Sequence, residues 1–173
     1  SSWVLSCVVA SLGEQEFVFV AGGYSKNSPI KSYELESGNL LYEINLKEDV
    51  IPIIIEKYQQ NKMNYIFVGT DSENPKFYII DYGIKQIVKS FVMNNTISAI
   101  CVYSTTNSQL FAYTSDYQGT VSEFDVTKAK LNTEFSVGTN TLDLITYDDY
   151  YLMSCGDKSN SIKTVIRHKH KVG

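Results

Sequence analysis

Short runs of β-branched and aromatic residues, bounded by Gly, Asn, Ser and Asp, follow one another along the whole chain, and helical periodicity is scarce. The runs group into a larger unit: an apolar run ending in small residues plus Asp, a polar turn, then an alternating strand closed by an aromatic or aliphatic residue and an acid. That unit reads AGG…KSYEL at Ala21 to Leu35, VGTD…YIIDY at Val68 to Tyr82, YTSD…SEFDV at Tyr113 to Val126 and SCGD…IKTVI at Ser154 to Ile166. The closing position steps Tyr33, Ile80, Phe124, Val165, at intervals of 47, 44 and 41. Indels of a few residues fall in turns, where solvated backbone tolerates them.

The pattern predicts four strands per unit. The first unit gives Trp3 to Ala10, Phe17 to Ala21, Pro29 to Leu35 and Leu40 to Leu46. The second gives Ile51 to Lys57, Tyr65 to Gly69, Lys76 to Asp81 and Gln86 to Val92, and the third Ile97 to Tyr103, Leu110 to Thr114, Thr120 to Val126 and Asn132 to Val137. The fourth offers Thr141 to Tyr147, Tyr151 to Cys155 and Ser161 to His168, with no candidate for a fourth strand. A four-stranded antiparallel unit repeated head to tail is the sequence form of a β-propeller blade. The expectation is an all-β fold of one domain over residues 1–173, with blades at about 3–46, 50–92, 96–137 and 140–170, or about 3.75 blades of a larger propeller. A β-sandwich also has many short strands, but it leaves the recurring Asp and closing hydrophobe unexplained.

Tyr113 to Val126 resembles the second and third strands of a WD40 repeat, with Phe124-Asp125 at the Trp-Asp position; Ile80-Asp81 and Tyr33-Glu34 are similar, and Val165-Ile166 departs from it. The Gly-His dipeptide of that family is absent throughout, so its His, Ser, Asp and Trp tetrad is incomplete here. Phe17 to Tyr24 resembles instead the apolar run and double Gly of a kelch repeat, but the other three units lack the double Gly. Either resemblance implies a propeller. The WD40 one implies a scaffold role in multiprotein assemblies, with partners docking on the loops between blades and between second and third strands. Those loops put forward Lys26, Asn27, Glu73, Asn74, Tyr117, Gln118, Lys158 and Asn160 as partner-binding residues.

Composition narrows the alternatives. With 43% hydrophobic residues and thirteen Tyr the chain is not a disordered one, and a net charge of −4 gives no electrostatic case for nucleic acid. No apolar stretch approaches a membrane span. Cys7, Cys101 and Cys155 are odd in number and fall inside expected strands, which points to free buried thiols in a reducing, cytoplasmic setting. Asn94-Asn95-Thr96 matches a glycosylation acceptor that such a setting does not use.

Asp71, Asp116 and Asp157 recur at one position, as a ring of cation-binding carboxylates would, although Asp after a strand more commonly bonds backbone N–H groups of its turn. His168 and His170 are spaced to share one side of a strand, like half a metal site, but no other His exists in the chain. Asp148-Asp149 with Asp143 reads as an exposed hairpin patch among Tyr147, Tyr150 and Tyr151. There is no Gly-x-Ser-x-Gly elbow, no phosphate loop and no His outside the terminus. No cofactor and no catalytic activity are therefore expected. The competing readings are a channel enzyme or small-ligand binder, opposed by apolar Ile53, Ile55, Ile97, Ala99, Leu142 and Leu144, and a phosphoinositide or membrane-surface binder acting through Arg167 to Lys171.

Overall fold

The structure, a computed structural model, describes residues 3–23, 26–60, 62–105, 107–137, 141–147, 151–156 and 162–166. These residues form fifteen strands, with no helix among them. β1 (Ser6–Leu12), β2 (Gln15–Ala21), β3 (Ile30–Glu34) and β4 (Leu40–Ile44) make the first sheet, and β5 (Ile51–Gln60), β6 (Met63–Asp71), β7 (Lys76–Asp81) and β8 (Gln86–Val92) the second. The third holds β9 (Ile97–Ser104), β10 (Leu110–Asp116), β11 (Thr120–Asp125) and β12 (Lys130–Ser136). The fourth, three-stranded among the described residues, holds β13 (Thr141–Tyr147), β14 (Tyr151–Gly156) and β15 (Ile162–Ile166). Every sheet is a meander whose sequence neighbours are its hydrogen-bonded neighbours. The chain divides into two compact units, Ser1–Ile97 and Ser98–Gly173.

β7, β8 and β13 have the bounds their periodicity predicts. β1 starts later, at Ser6 rather than Trp3. There the ladder gives way to a close backbone approach: Leu5 N–H donates to the Ala21 carbonyl at 3.0 Å, and a Cβ on Gly22 would lie 2.1 Å from the Trp3 carbonyl oxygen. β5 and β6 run longer than predicted, pairing out to Gln60 with Met63, where Lys62 takes a left-handed φ of 66°. One thiol also differs from expectation. Cys101 is buried, but Cys7 is exposed, because the face of the first sheet that carries it is not the face that packs on the second.

Each sheet has two faces set by strand alternation. In the first unit, the leading face of sheet one, with Phe17, Phe19, Ala21 and Ile30, packs on the trailing face of sheet two, with Ile55, Ile66, Val68, Tyr78, Ile80 and Tyr82. Phe17 and Phe19 hold Tyr82 between them at ring-centroid distances of 5.8 and 5.4 Å. Burying each large side chain of this kind stabilises by about 1.5–3 kcal/mol. The second unit repeats the scheme: Phe111, Tyr113 and Val121 occupy the register positions of Phe17, Phe19 and Ile30, and pack with Leu144. Burial peaks in the central strands, and β10 is buried along its whole length.

The third hairpin of each complete sheet carries the repeat most plainly. The ladder slips between Ser32 and Tyr33, between Ile79 and Ile80, and between Glu123 and Phe124, immediately before the closing hydrophobe. Each slip is a β-bulge whose extra residue, Leu41, Val88 or Asn132, sits on the outer strand. The turns beyond it hold Gly38, Lys85 and Ala129 at φ 70°, 57° and 48°, again at the repeat spacing. The closing acid fastens each turn. Asp81 accepts from the N–H groups of Gly83 and Ile84 at 2.9 and 3.3 Å, Asp125 from Lys128 N–H at 2.9 Å, and Glu34 from the Ser37 hydroxyl. Burial alone would raise Asp125, but the Lys128 N–H and ammonium and the Lys130 charge outweigh it and hold the carboxyl below its usual range.

Candidate protein-interaction face

The loops that join blades and those that join second to third strands are cross-tied within the first unit. Asn27, at a left-handed φ of 67°, donates its N–H to the Val50 carbonyl at 3.2 Å and its side-chain amide to Asp49 at 3.2 Å. Lys26 reaches the same Asp49 carboxylate at 3.3 Å. Next along, Glu48 pairs with Lys76, the first residue of β7. The Thr96 hydroxyl then donates to Asp71 at 2.8 Å, and Met93 N–H to the Pro75 carbonyl at 2.8 Å. These links run from the β2–β3 loop through the β4–β5 loop to the β6–β7 and β8–β9 loops. Lys26, Asn27, Glu73 and Asn74 are therefore brought together at one end of this unit, all exposed.

The second unit builds its loop end the same way. Val137 N–H donates to the Gly119 carbonyl at 2.8 Å, the counterpart of Met93 and Pro75 one repeat earlier. Asp116 accepts from the N–H groups of Gln118 and Thr120, both at 2.9 Å, which is the turn-fixing role expected of it. That leaves Tyr117 52% exposed at the tip with Gln118 beside it. Asp71 differs: its carboxylate takes the Thr96 hydroxyl and so ties two loops, because Ser72 and not Asp71 receives the next turn N–H, from Asn74 at 3.1 Å. Lys158, Asn160, Asp157, Asp148, Asp149, His168, His170 and the rest of Arg167 to Lys171 lie outside the described residues.

The face is electrostatically mixed, with Lys26, Lys76, Glu48, Asp49, Asp71 and Glu73 interspersed. The exposed Lys26–Asp49 pair contributes at most about 1 kcal/mol, so it orients side chains more than it stabilises the fold. Among the described residues, no three His, Cys, Asp or Glu converge as a metal site would need, and no helix is long and apolar enough to cross a membrane. Ile55, Ile97, Ala99 and Leu144 on the first strands are buried apolar side chains. One polar cluster escaped the sequence reading: buried Glu123 accepts from the Tyr113 hydroxyl at 2.5 Å and the bulged Asn132 amide at 3.0 Å. The Tyr113 to Glu123 spacing is visible in sequence only once the cross-strand register is known.

Four-stranded antiparallel meanders stacked by alternating faces define a β-propeller, and comparison with solved structures agrees. The computationally designed Ika4 protein superposes with a TM-score of 0.71 at 15% identity, over 97% of this chain and 93% of that one. The designed Ika8 protein matches with a TM-score of 0.65 at 15% identity, over 95% of this chain and 46% of that one. The WD40 repeats of RRP9 match with a TM-score of 0.68 at 13% identity, over 98% and 57%. This chain thus spans about half the length of the latter two. No family model and no curated protein matches it. Since 715 solved chains share the fold, shape alone does not select an activity.

Proposed function

We propose that this chain is a non-catalytic protein-interaction scaffold of the WD40 kind, whose partners are other proteins or peptides. The observation that carries the reading is the cross-tied loop end: exposed Lys26, Asn27, Glu73 and Asn74 are held on short, mutually bonded loops. A rigid set of exposed polar side chains binds with little ordering cost. Two details favour WD40 over kelch. The acid after each closing hydrophobe caps its hairpin, in the place of the Trp-Asp acid. The double glycine of the first unit answers instead to a local need, the approach of Trp3 to Gly22. The exposed, unpaired Cys7 fits a reducing, cytoplasmic setting.

The test is affinity capture with the wild-type chain against Lys26→Glu, Glu73→Lys and Lys158→Glu variants. The expected result is a stoichiometric protein partner whose recovery falls in the variants while the thermal midpoint stays nearly unchanged. Intact binding in all three moves the interface elsewhere. A metabolite or lipid recovered without protein overturns the scaffold reading.

A further inference from the structure

We propose that the outer seam between the first and second sheets, where Tyr42 of β4 and Ile87 of β8 flank the shared core, is a docking surface for an acidic, apolar segment of another protein. It is a different surface from the loop face. Tyr42 and Ile87 both pack half-buried against the core that the two sheets share, and Lys85 reaches from the β7–β8 turn to β4, its ammonium 4.1 Å from the Tyr42 ring centroid. Around this seam the outer strands are apolar and open. Leu40 and Leu41 on β4, Ile84 in the β7–β8 turn and Val88 on β8 are exposed, and Val92 at the end of β8 is 71% exposed. On β12, the outer strand of the third sheet, Leu131 is the one large apolar residue so exposed. The bulges add to the contrast: Leu41 and Val88, the extra residues of the first two sheets, face solvent, while Asn132 turns its amide to buried Glu123. Apolar surface gathered in this way marks an interaction site.

Charge says what fits there. Residues 83–92 hold two lysines and no acid, in a protein whose net charge is −4. The acids nearest in register are engaged elsewhere: Glu43 pairs with Lys31 at 3.7 Å, and Asp81 accepts from the N–H groups of Gly83 and Ile84. Lys85 and Lys89 lie over rings instead, Lys89 at 6.0 Å from the Phe91 centroid. The open charge of the seam is therefore positive, and an acidic partner complements it. An anionic membrane surface suits it less, because two lysines fall short of the cluster of about 4–8 that such surfaces attract and the net charge of the chain opposes it. Since the bulges put both outer edges out of step for strand addition, the partner engages side chains. β8 has seven residues, about 23 Å of strand, which sets the length of the segment it can seat.

Fluorescence anisotropy of a labelled peptide of about ten residues, built of Asp-Leu-Val units to span that length, tests the proposal. The expected result is saturable binding that weakens about tenfold or more in the Lys85→Glu/Lys89→Glu double variant and in Val92→Asp, and that falls as salt screens the exposed lysines. Far-UV circular dichroism should show both variants folded. Leu131→Asp, on the outer strand of the third sheet, and Lys26→Glu, on the loop face, should leave binding unchanged, so the two surfaces stand or fall separately. A matching peptide of Lys-Leu-Val units should not bind. No saturable binding, equal binding of the Lys-Leu-Val peptide, binding that survives both seam variants, or capture by phosphatidylserine vesicles in place of the peptide overturns it.

Discussion

Gly38, Lys85 and Ala129 occupy one backbone position in three successive hairpins, all with left-handed φ, and their side chains differ enough to make a matched substitution series. An L side chain in that conformation costs about 1–2 kcal/mol, while a glycine gives back about 0.5–1 kcal/mol through the greater freedom of its unfolded chain. Ala129→Gly should therefore stabilise by about 0.5–1 kcal/mol, and Gly38→Ala should destabilise by about as much. No atom crowds a Cβ at Gly38, so backbone strain is the whole of that cost. Lys85→Gly should be nearly neutral, because the Lys85 ammonium lies 4.1 Å from the Tyr42 ring centroid and that contact, worth about 0.5–1 kcal/mol, is lost as strain is relieved. Urea unfolding followed by far-UV circular dichroism reads all three, with the slope unchanged and only the midpoint moving. In heating experiments the shifts should be about 2–8 °C for units of this size. Each variant is expected to move the transition of its own unit, Gly38 and Lys85 the first and Ala129 the second. A lower midpoint for Ala129→Gly, or an unchanged one for Gly38→Ala, refutes the reasoning.

Gly69→Ala should cost about 1–3 kcal/mol by overpacking, since its Cβ would lie 2.7 Å from Ile54 Cγ2 and 2.9 Å from Ile97 Cβ; a midpoint within error of wild type would show that those side chains yield freely. Tyr78→Phe should stabilise by about 1 kcal/mol in urea titration, because the Tyr78 hydroxyl is buried without a hydrogen-bond partner. Burial first, then the Glu48 charge, pushes Tyr78 up to about 12, and burial with the Tyr42 and Asp81 charges does the same for Tyr82. The unfolded chain ionises these phenols first, near pH 10. The stability these two phenols contribute should accordingly be full below pH 10 and fall away between about pH 10 and 12, less steeply in Tyr78→Phe; an identical alkaline slope in the variant contradicts the assignment.

The period was legible because Ile80 and Phe124 each close a strand whose packing demands a hydrophobe, and the acid behind each, like Glu34 behind Tyr33, fastens its turn. The bulges were not, because Leu41, Val88 and Asn132 share no chemistry: what they share is backbone register, which a string of residue types does not carry. The left-handed residues were half legible, since Gly38 announces itself while Lys85 and Ala129 look like ordinary turn residues. Cys7 was misjudged for a third reason. Alternation assigns it to one face of β1, but nothing in β1 says which face another sheet covers. For the interaction face, the loop positions followed from the repeat, whereas the partnership of Asn27 and Lys26 with Asp49 depends on two loops meeting across a sheet boundary.

The bulges also bear on how such a chain stays apart from its neighbours in a crowded solution. Sheets that end in β4, β8 and β12 present three open rows of N–H and C=O groups, each a template on which a foreign strand can grow into a fibre. An extra residue in the outer strand, at the same place every time, puts that row out of step with any straight strand laid beside it and twists it away. Deleting Leu41, Val88 or Asn132 should straighten the edge and favour strand-to-strand self-pairing, read as faster growth of thioflavin-T-positive aggregate than in wild type; equal growth would show that the bulges do not guard the edge.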